Sequence, residues 1–135
     1  MAEIIARPAV KLLAKVRDAQ PDEFLAAAAE VLGDTAYVTR SASSGLLEIS
    51  ASGVTKAAGL ARHCETLGLS AAEVAAVGDM PNDIPMLEWA GRSYAVANAH
   101  PATQAAADVV LAESNNDDAV ATLIRSLLSQ QRYRP

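Results

Sequence analysis

Two carboxylates, Asp79 and Asp83, lie four residues apart in the segment Gly-Asp-Met-Pro-Asn-Asp, which spans residues 78–83. An apolar run at residues 74–77 precedes the segment and is typical of a buried parallel strand. Pro81 suits the first position of a helix, so both acids are predicted where a strand turns into a helix. Ligands of open α/β sheets bind beyond the carboxyl ends of the strands, and Mg²⁺ prefers carboxylates completed by waters and a phosphate. The pattern therefore favours a Mg²⁺ site, with helix capping by one of the acids as the alternative.

A lysine is the second candidate for chemistry. Lys56 is predicted in the first turn of a helix, because apolar residues follow it at spacings of three and four, up to Leu67. The helix dipole opposes a cation in that turn, so a phosphate or one of the two acids would stabilise the lysine there. The alternative is a solvated surface lysine, which is the common environment of this residue type.

The remaining polar candidates are interpreted as structural. His63 and His100 have no partner ligand at a suitable spacing, so both are predicted at the surface or in loops. Asn98 follows a predicted strand and is expected to turn the chain, with a contact to a substrate as the alternative. Cys64 lies on the apolar face of its helix and is expected in the core.

The elements that position these residues form an α/β pattern. Residues 1–50 are predicted to hold a strand, a helix from Pro21 to Gly33, and a hairpin with strands at 35–39 and 46–49 and a turn at 41–45. A boundary near residue 50 separates them from residues 51–135, where helices alternate with strands, as in a parallel α/β layer. The closing helix has a single apolar stripe, formed by Val120, Leu123, Ile124, Leu127 and Leu128.

The composition and charge of the chain limit the kinds of partner and the location that we expect. The chain has 135 residues, a net charge of −5 and no run of basic residues, which argues against a nucleic-acid surface. No apolar stretch approaches the roughly 20 residues needed to span a membrane. The single cysteine excludes an internal disulfide and suits the reducing cytoplasm, which is the predicted location.

The segment from Leu47 to Leu127 resembles the C-terminal part of the haloacid dehalogenase superfamily, in its Cof-type phosphatase branch. The matching residues are Leu47-Glu48-Ile49, Gly53-Val54-Thr55-Lys56, Gly78-Asp79, Asn82-Asp83-Ile84, Met86-Leu87, Ala97-Asn98-Ala99 and Ala107-Asp108. The resemblance implies a Mg²⁺-dependent phosphohydrolase that acts on a small phosphorylated metabolite, with an α/β core and an α/β cap.

The resemblance also implies a role for each site residue. Lys56 would steady the phosphate and the charge of the nucleophile, which makes it both a catalytic and a substrate-binding residue. Asp79 would ligate Mg²⁺ directly. Asp83, the second catalytic and metal-site residue, would hold a metal-bound water or Lys56. Asn82 would reach the phosphate or the water shell of the metal.

One expected motif is missing from the sequence. Members of this branch use an Asp-x-Asp nucleophile on the first core strand, and the 135 residues contain no Asp-x-Asp. We therefore expect a partial Rossmann-like core with a small half-cap, inactive alone, that corresponds to the C-terminal half of the enzyme. The strand at 74–77 would then have a bare edge, so a homodimer, a domain swap or a missing N-terminal half is expected to pair with it.

Two other functions are compatible with these residues. The first is a non-catalytic binding or assembly module that uses the open edge of the sheet. The second is a receiver-like phospho-acceptor domain, which is less consistent with the order of the lysine and the acids along the chain.

Overall fold

The computed structural model describes residues 9–16, 20–40 and 45–131. An antiparallel three-stranded sheet and one helix form the first part, which we call the N-terminal lobe. The central strand, β3, pairs with β1 on one side and with β2 on the other. The elements of this lobe are β1 (Leu12–Lys15), α1 (Pro21–Leu32), β2 (Ala36–Thr39) and β3 (Leu46–Ala51).

Helices and a parallel sheet form the second part, the C-terminal lobe, with the strand order β4-β5-β6. This mixture of α and β elements, with a parallel sheet, confirms the predicted fold class. The elements are α2 (Lys56–Leu67), β4 (Ala75–Gly78), α3 (Ile84–Trp89), β5 (Arg92–Ala95), α4 (Pro101–Ala106), β6 (Val109–Val110) and α5 (Ala119–Gln131).

The ends of α2 follow from local chemistry. The hydroxyl of Thr55 accepts a hydrogen bond from the backbone N–H of Ala58 at 3.1 Å, which caps the first turn. Gly68 ends the helix in the left-handed conformation, with φ of 69°. Lys56 is therefore the first residue of the helix, as its sequence context predicts.

Small side chains form the core of the C-terminal lobe. A buried cluster joins the end of β5 to the start of α5, and it consists of Ala95, Val96, Ala99 and Ala119. Cys64 is 3% exposed, which confirms it as a core residue. The apolar stripe of α5 is only partly buried. Leu123 is buried, while Val120, Ile124 and Leu128 are about half exposed.

Strand β4 lies at the end of the parallel sheet. Within the described ranges it pairs with β5 and with no other strand, so its second edge is bare, as expected. The antiparallel pairing of β2 with β3 agrees with the predicted hairpin, while residues 41–44 of its turn lie outside the described residues. None of the described helices has the length and hydropathy needed to cross a membrane.

Candidate active site

An ion pair between Lys56 and Asp83 joins the start of α2 to the turn after β4. The ammonium of Lys56 donates to Oδ1 of Asp83. The two side chains differ in exposure: that of Asp83 is 5% exposed and that of Lys56 is 48% exposed. The pair therefore holds a lysine with a solvent-accessible flank at the carboxyl end of β4.

The second oxygen of Asp83 is held by the backbone. Oδ2 accepts hydrogen bonds from the N–H groups of Asp79 at 3.0 Å and of Met80 at 3.1 Å. Burial raises the pKa of Asp83, but the bond to Lys56 and the two backbone N–H bonds together outweigh burial, so the pKa of this carboxyl lies below its usual value. Asp83 is accordingly a fixed carboxylate that anchors both Lys56 and the backbone of Asp79.

The Asp79 carboxylate is far less constrained. It is partly buried, and the side-chain amide of Asn115 lies 3.5 Å from its Oδ2. The backbone carbonyl of Asp79 accepts from the N–H of His100 at 2.8 Å, which ties this turn to the loop after β5. Asp79 therefore has oxygen atoms available to a further ligand.

Asn82 is buried beside these acids. Its side chain has a buried Oδ1 that finds no hydrogen-bond partner among the described residues. An orphaned buried acceptor costs free energy, and a ligand or water at this position would satisfy it. Its placement thus suits the predicted contact of Asn82 with a bound group.

Few of these protein groups could bind Mg²⁺ directly. No cluster of three or more His, Cys, Asp or Glu residues that could hold a metal occurs in the part of the chain that the structure describes. Asp79 provides a carboxylate with free oxygens, while both oxygens of Asp83 contact protein groups. Since Mg²⁺ in phosphate sites commonly takes one or two carboxylates and leaves the rest to waters and phosphate, Asp79 meets this minimum.

Sequence reasoning missed Asn115. Its backbone N–H donates to Oδ1 of Asn98 at 3.0 Å, and the side-chain amide of Asn98 donates to Oδ1 of Asn115 at 2.8 Å. Asn98 does turn the chain, as predicted, and in addition it positions Asn115 next to Asp79. The contact joins two loops that are distant in sequence, and no motif marks it.

The two histidines differ. His63 is exposed on α2, which confirms the surface prediction. His100 is partly buried, and its Nδ1 accepts from the N–H of Ala102 at 3.2 Å, which caps the start of α4. Its Nε2 lies 3.7 Å from a carboxylate oxygen of Asp22 in α1, so His100 contacts the N-terminal lobe.

Comparison with known proteins places this chain in a family. A family model described as haloacid dehalogenase-like hydrolase matches residues 2–124. A phosphoglycolate phosphatase of Methanothrix thermoacetophila is 50% identical over 58 residues, which are 43% of this chain and 26% of that protein. A phosphoglycolate phosphatase of Halorubrum lacusprofundi is 43% identical over 75 residues, which are 56% of this chain and 33% of that protein.

A solved structure agrees in fold. A haloacid dehalogenase-like hydrolase from Bacillus subtilis has a TM-score of 0.80 and 27% identity, over 93% of this chain and 45% of that one. The matches thus span about a quarter to a third of the two curated relatives and less than half of the solved one. The family model nevertheless covers most of this sequence, and the protein belongs to the haloacid dehalogenase-like hydrolases.

Proposed function

We propose that this chain forms the phosphate- and Mg²⁺-binding part of a phosphatase that hydrolyses a small phosphate ester, in the Cof-type branch of its family and in the cytoplasm. The observation that supports the proposal best is the contact of Lys56 with Asp83 at the tip of β4, where Asp83 also accepts from the backbone of Asp79. Relatives named as phosphatases support the same class of reaction.

Each residue has a distinct part in this proposal. The half-exposed ammonium of Lys56 binds the phosphoryl oxygens and neutralises their charge, which is the main requirement of phosphoryl transfer. Asp83 orients Lys56 through their ion pair. Asn82 offers a side-chain contact to the phosphate or to a water. Asp79 would hold Mg²⁺, which supplies further neutralisation of the phosphoryl charge when bound.

The attacking carboxylate is proposed to come from another segment. The sequence holds no Asp-x-Asp, and the second edge of β4 is unpaired within the described ranges. A strand that pairs in parallel with β4 would bring its own carboxyl end next to Lys56 and Asp79, because neighbouring parallel strands end at the same edge of a sheet. The chain alone is therefore proposed to be inactive.

Complementation tests this proposal. The chain is fused to the N-terminal half of the Bacillus subtilis hydrolase described above, and release of phosphate from a generic aryl phosphate is measured with Mg²⁺. We expect no turnover by the chain alone and turnover by the fusion, lost in the fusions that carry Lys56→Met or Asp79→Asn. Turnover that survives both substitutions, or a folded fusion that is inactive, would contradict the proposal. Asp34→Asn, at an exposed position in the N-terminal lobe, is the matched control.

The bare edge of β4 also favours a second candidate, a non-catalytic assembly module. An unpaired edge invites pairing with another chain, including a second copy. Sedimentation analysis distinguishes the two candidates, because an assembly module predicts a stable homodimer whose formation does not depend on Lys56.

A further inference from the structure

A buried arginine lies next to the contact between the two lobes. Arg40 follows β2, and its side chain is 6% exposed. One of its terminal nitrogens pairs with Oδ1 of Asp22 at 2.7 Å, while its buried Nε has no hydrogen-bond partner among the described residues. The guanidinium thus retains an unused donor, which is unfavourable for a buried charged group unless a ligand completes it.

The carboxylate of Asp22, which pairs with Arg40, is mostly exposed to solvent. The Asp22 side chain is 68% exposed, and exposed ion pairs contribute little because solvent screens them. Its second oxygen lies 3.7 Å from Nε2 of His100. Because Nδ1 of His100 accepts the N–H of Ala102, the neutral ring carries its proton on Nε2, which makes that nitrogen a donor. Arg40 and His100 therefore present donors to one exposed carboxylate.

This group of donors adjoins the candidate active site. The backbone N–H of His100 bonds the carbonyl of Asp79 at 2.8 Å, so the residue that contacts Asp22 is fixed to the turn that would hold Mg²⁺. A substrate whose phosphate lies at Lys56 and Asp79 could extend its other end toward His100 and Arg40.

We infer that Arg40 and His100 form a subsite for a second anionic group of the substrate, and that Asp22 competes with that group for Arg40. The inference rests on the proposed function and names its substrate class: a small phosphate ester that carries a carboxylate or a second phosphate. Arg40 is suited to this role because its planar guanidinium binds either group through two nitrogens.

Isothermal titration of the full chain with Mg²⁺ tests the inference through binding alone. The probes are inorganic phosphate, ethyl phosphate, phosphoglycolate and ethylene bisphosphate. Wild type is expected to bind at least one of the two esters that carry a second anionic group, phosphoglycolate or ethylene bisphosphate, about tenfold more tightly than ethyl phosphate, which corresponds to roughly one charge-assisted contact. Whichever ester shows the preference identifies the second group as a carboxylate or a phosphate.

Two variants of the proposed subsite, with one control variant, give the sharper comparison. Arg40→Met should abolish the preference and leave the affinity for inorganic phosphate unchanged, whereas Arg62→Met, at an exposed position of α2, should change neither. Asp22→Asn should strengthen binding of the preferred ester several-fold, because the internal competitor is gone. A merely structural ion pair would not produce that gain.

The outcomes separate the two proposals. If phosphate binds but the esters bind alike, or if Asp22→Asn weakens binding of the preferred ester, the inference is overturned and the proposed function stands. If inorganic phosphate itself does not bind, the proposed function is overturned and the subsite with it.

Discussion

A Cβ atom placed on Gly78 would lie 2.5 Å from the Cβ atom of Asp83, and 2.9 Å from its Oδ2. The last residue of β4 therefore has room for no side chain, because the Asp83 carboxylate packs directly against it. This close approach lets Oδ2 reach the backbone N–H groups of Asp79 and Met80. Gly78 therefore contributes to the geometry of the site, because its missing side chain leaves room for the Asp83 carboxylate.

Gly78→Ala is expected to destabilise the protein by about 1–3 kcal/mol, as overpacking of a filled position does, and to disturb the ion pair with Lys56. Urea unfolding gives the change in free energy. Gly59→Ala is the matched control, because its Cβ would meet open space in the described part of α2. Replacing this helical glycine should stabilise the protein by roughly 0.5–1 kcal/mol. Equal stability of the two variants would contradict the account of Gly78.

Lys56→Met is expected to lower stability at neutral pH and to move acid unfolding to higher pH. The pKa of Asp83 is depressed in the folded state, so its carboxylate stabilises the protein above the unfolded pKa, near 3.8, and this contribution is lost as the pH falls through the folded value. Without Lys56 the effect of burial, which raises the pKa, is opposed only by the two backbone N–H bonds. The loss should be about 1–3 kcal/mol, below the cost for a fully buried pair, because Lys56 is half exposed.

Urea unfolding across a series of pH values measures both effects of Lys56→Met. Lys15→Met serves as the control, since Lys15 is exposed on β1. Stability curves of Lys56→Met and wild type that run parallel down to acid pH would show that the ion pair does not set the pKa of Asp83.

Asp108→Ala is expected to lower the free energy of unfolding by about 1–3 kcal/mol, because it leaves buried donors of Ser93 without an acceptor. Oδ2 of Asp108 accepts from the backbone N–H of Ser93 at 2.8 Å and from its hydroxyl at 3.0 Å, and Ser93 is 2% exposed. Asp108→Asn retains an acceptor and should cost less. Thermal or urea unfolding checks the order, with the exposed Glu88→Ala as the neutral reference. If Asp108→Ala and Glu88→Ala were equally stable, the bonds to Ser93 would have no net value.

The elements around the site could be predicted from local patterns. The periodicity after Thr55 and the apolar run before Gly78 placed Lys56 and Asp79 on the correct helix and turn, because each pattern depends only on neighbours in the chain. The limits of a strand can shift, as for β4, which was predicted at 74–77 and spans Ala75–Gly78. Such limits depend on pairing with distant strands.

Contacts between distant loops could not be predicted. Asn115 reaches Asp79 across 36 positions of sequence, and Arg40 meets Asp22 only because α1 and β2 pack in one lobe. Neither contact leaves a spacing pattern in the sequence. The roles of Lys56, Asn82, Asp79 and Asp83 in binding phosphate and Mg²⁺ remain predictions, which require a ligand to test.

Binding of inorganic phosphate, measured by titration calorimetry with and without Mg²⁺, tests the central claim most directly. We predict that wild type binds phosphate more tightly when Mg²⁺ is present, and that Lys56→Met and Asp79→Asn each weaken this binding about tenfold or more, the value of one charge-assisted hydrogen bond. Asp34→Asn should bind as wild type does. Phosphate affinity that is independent of Mg²⁺ and unchanged in both site variants would contradict the account.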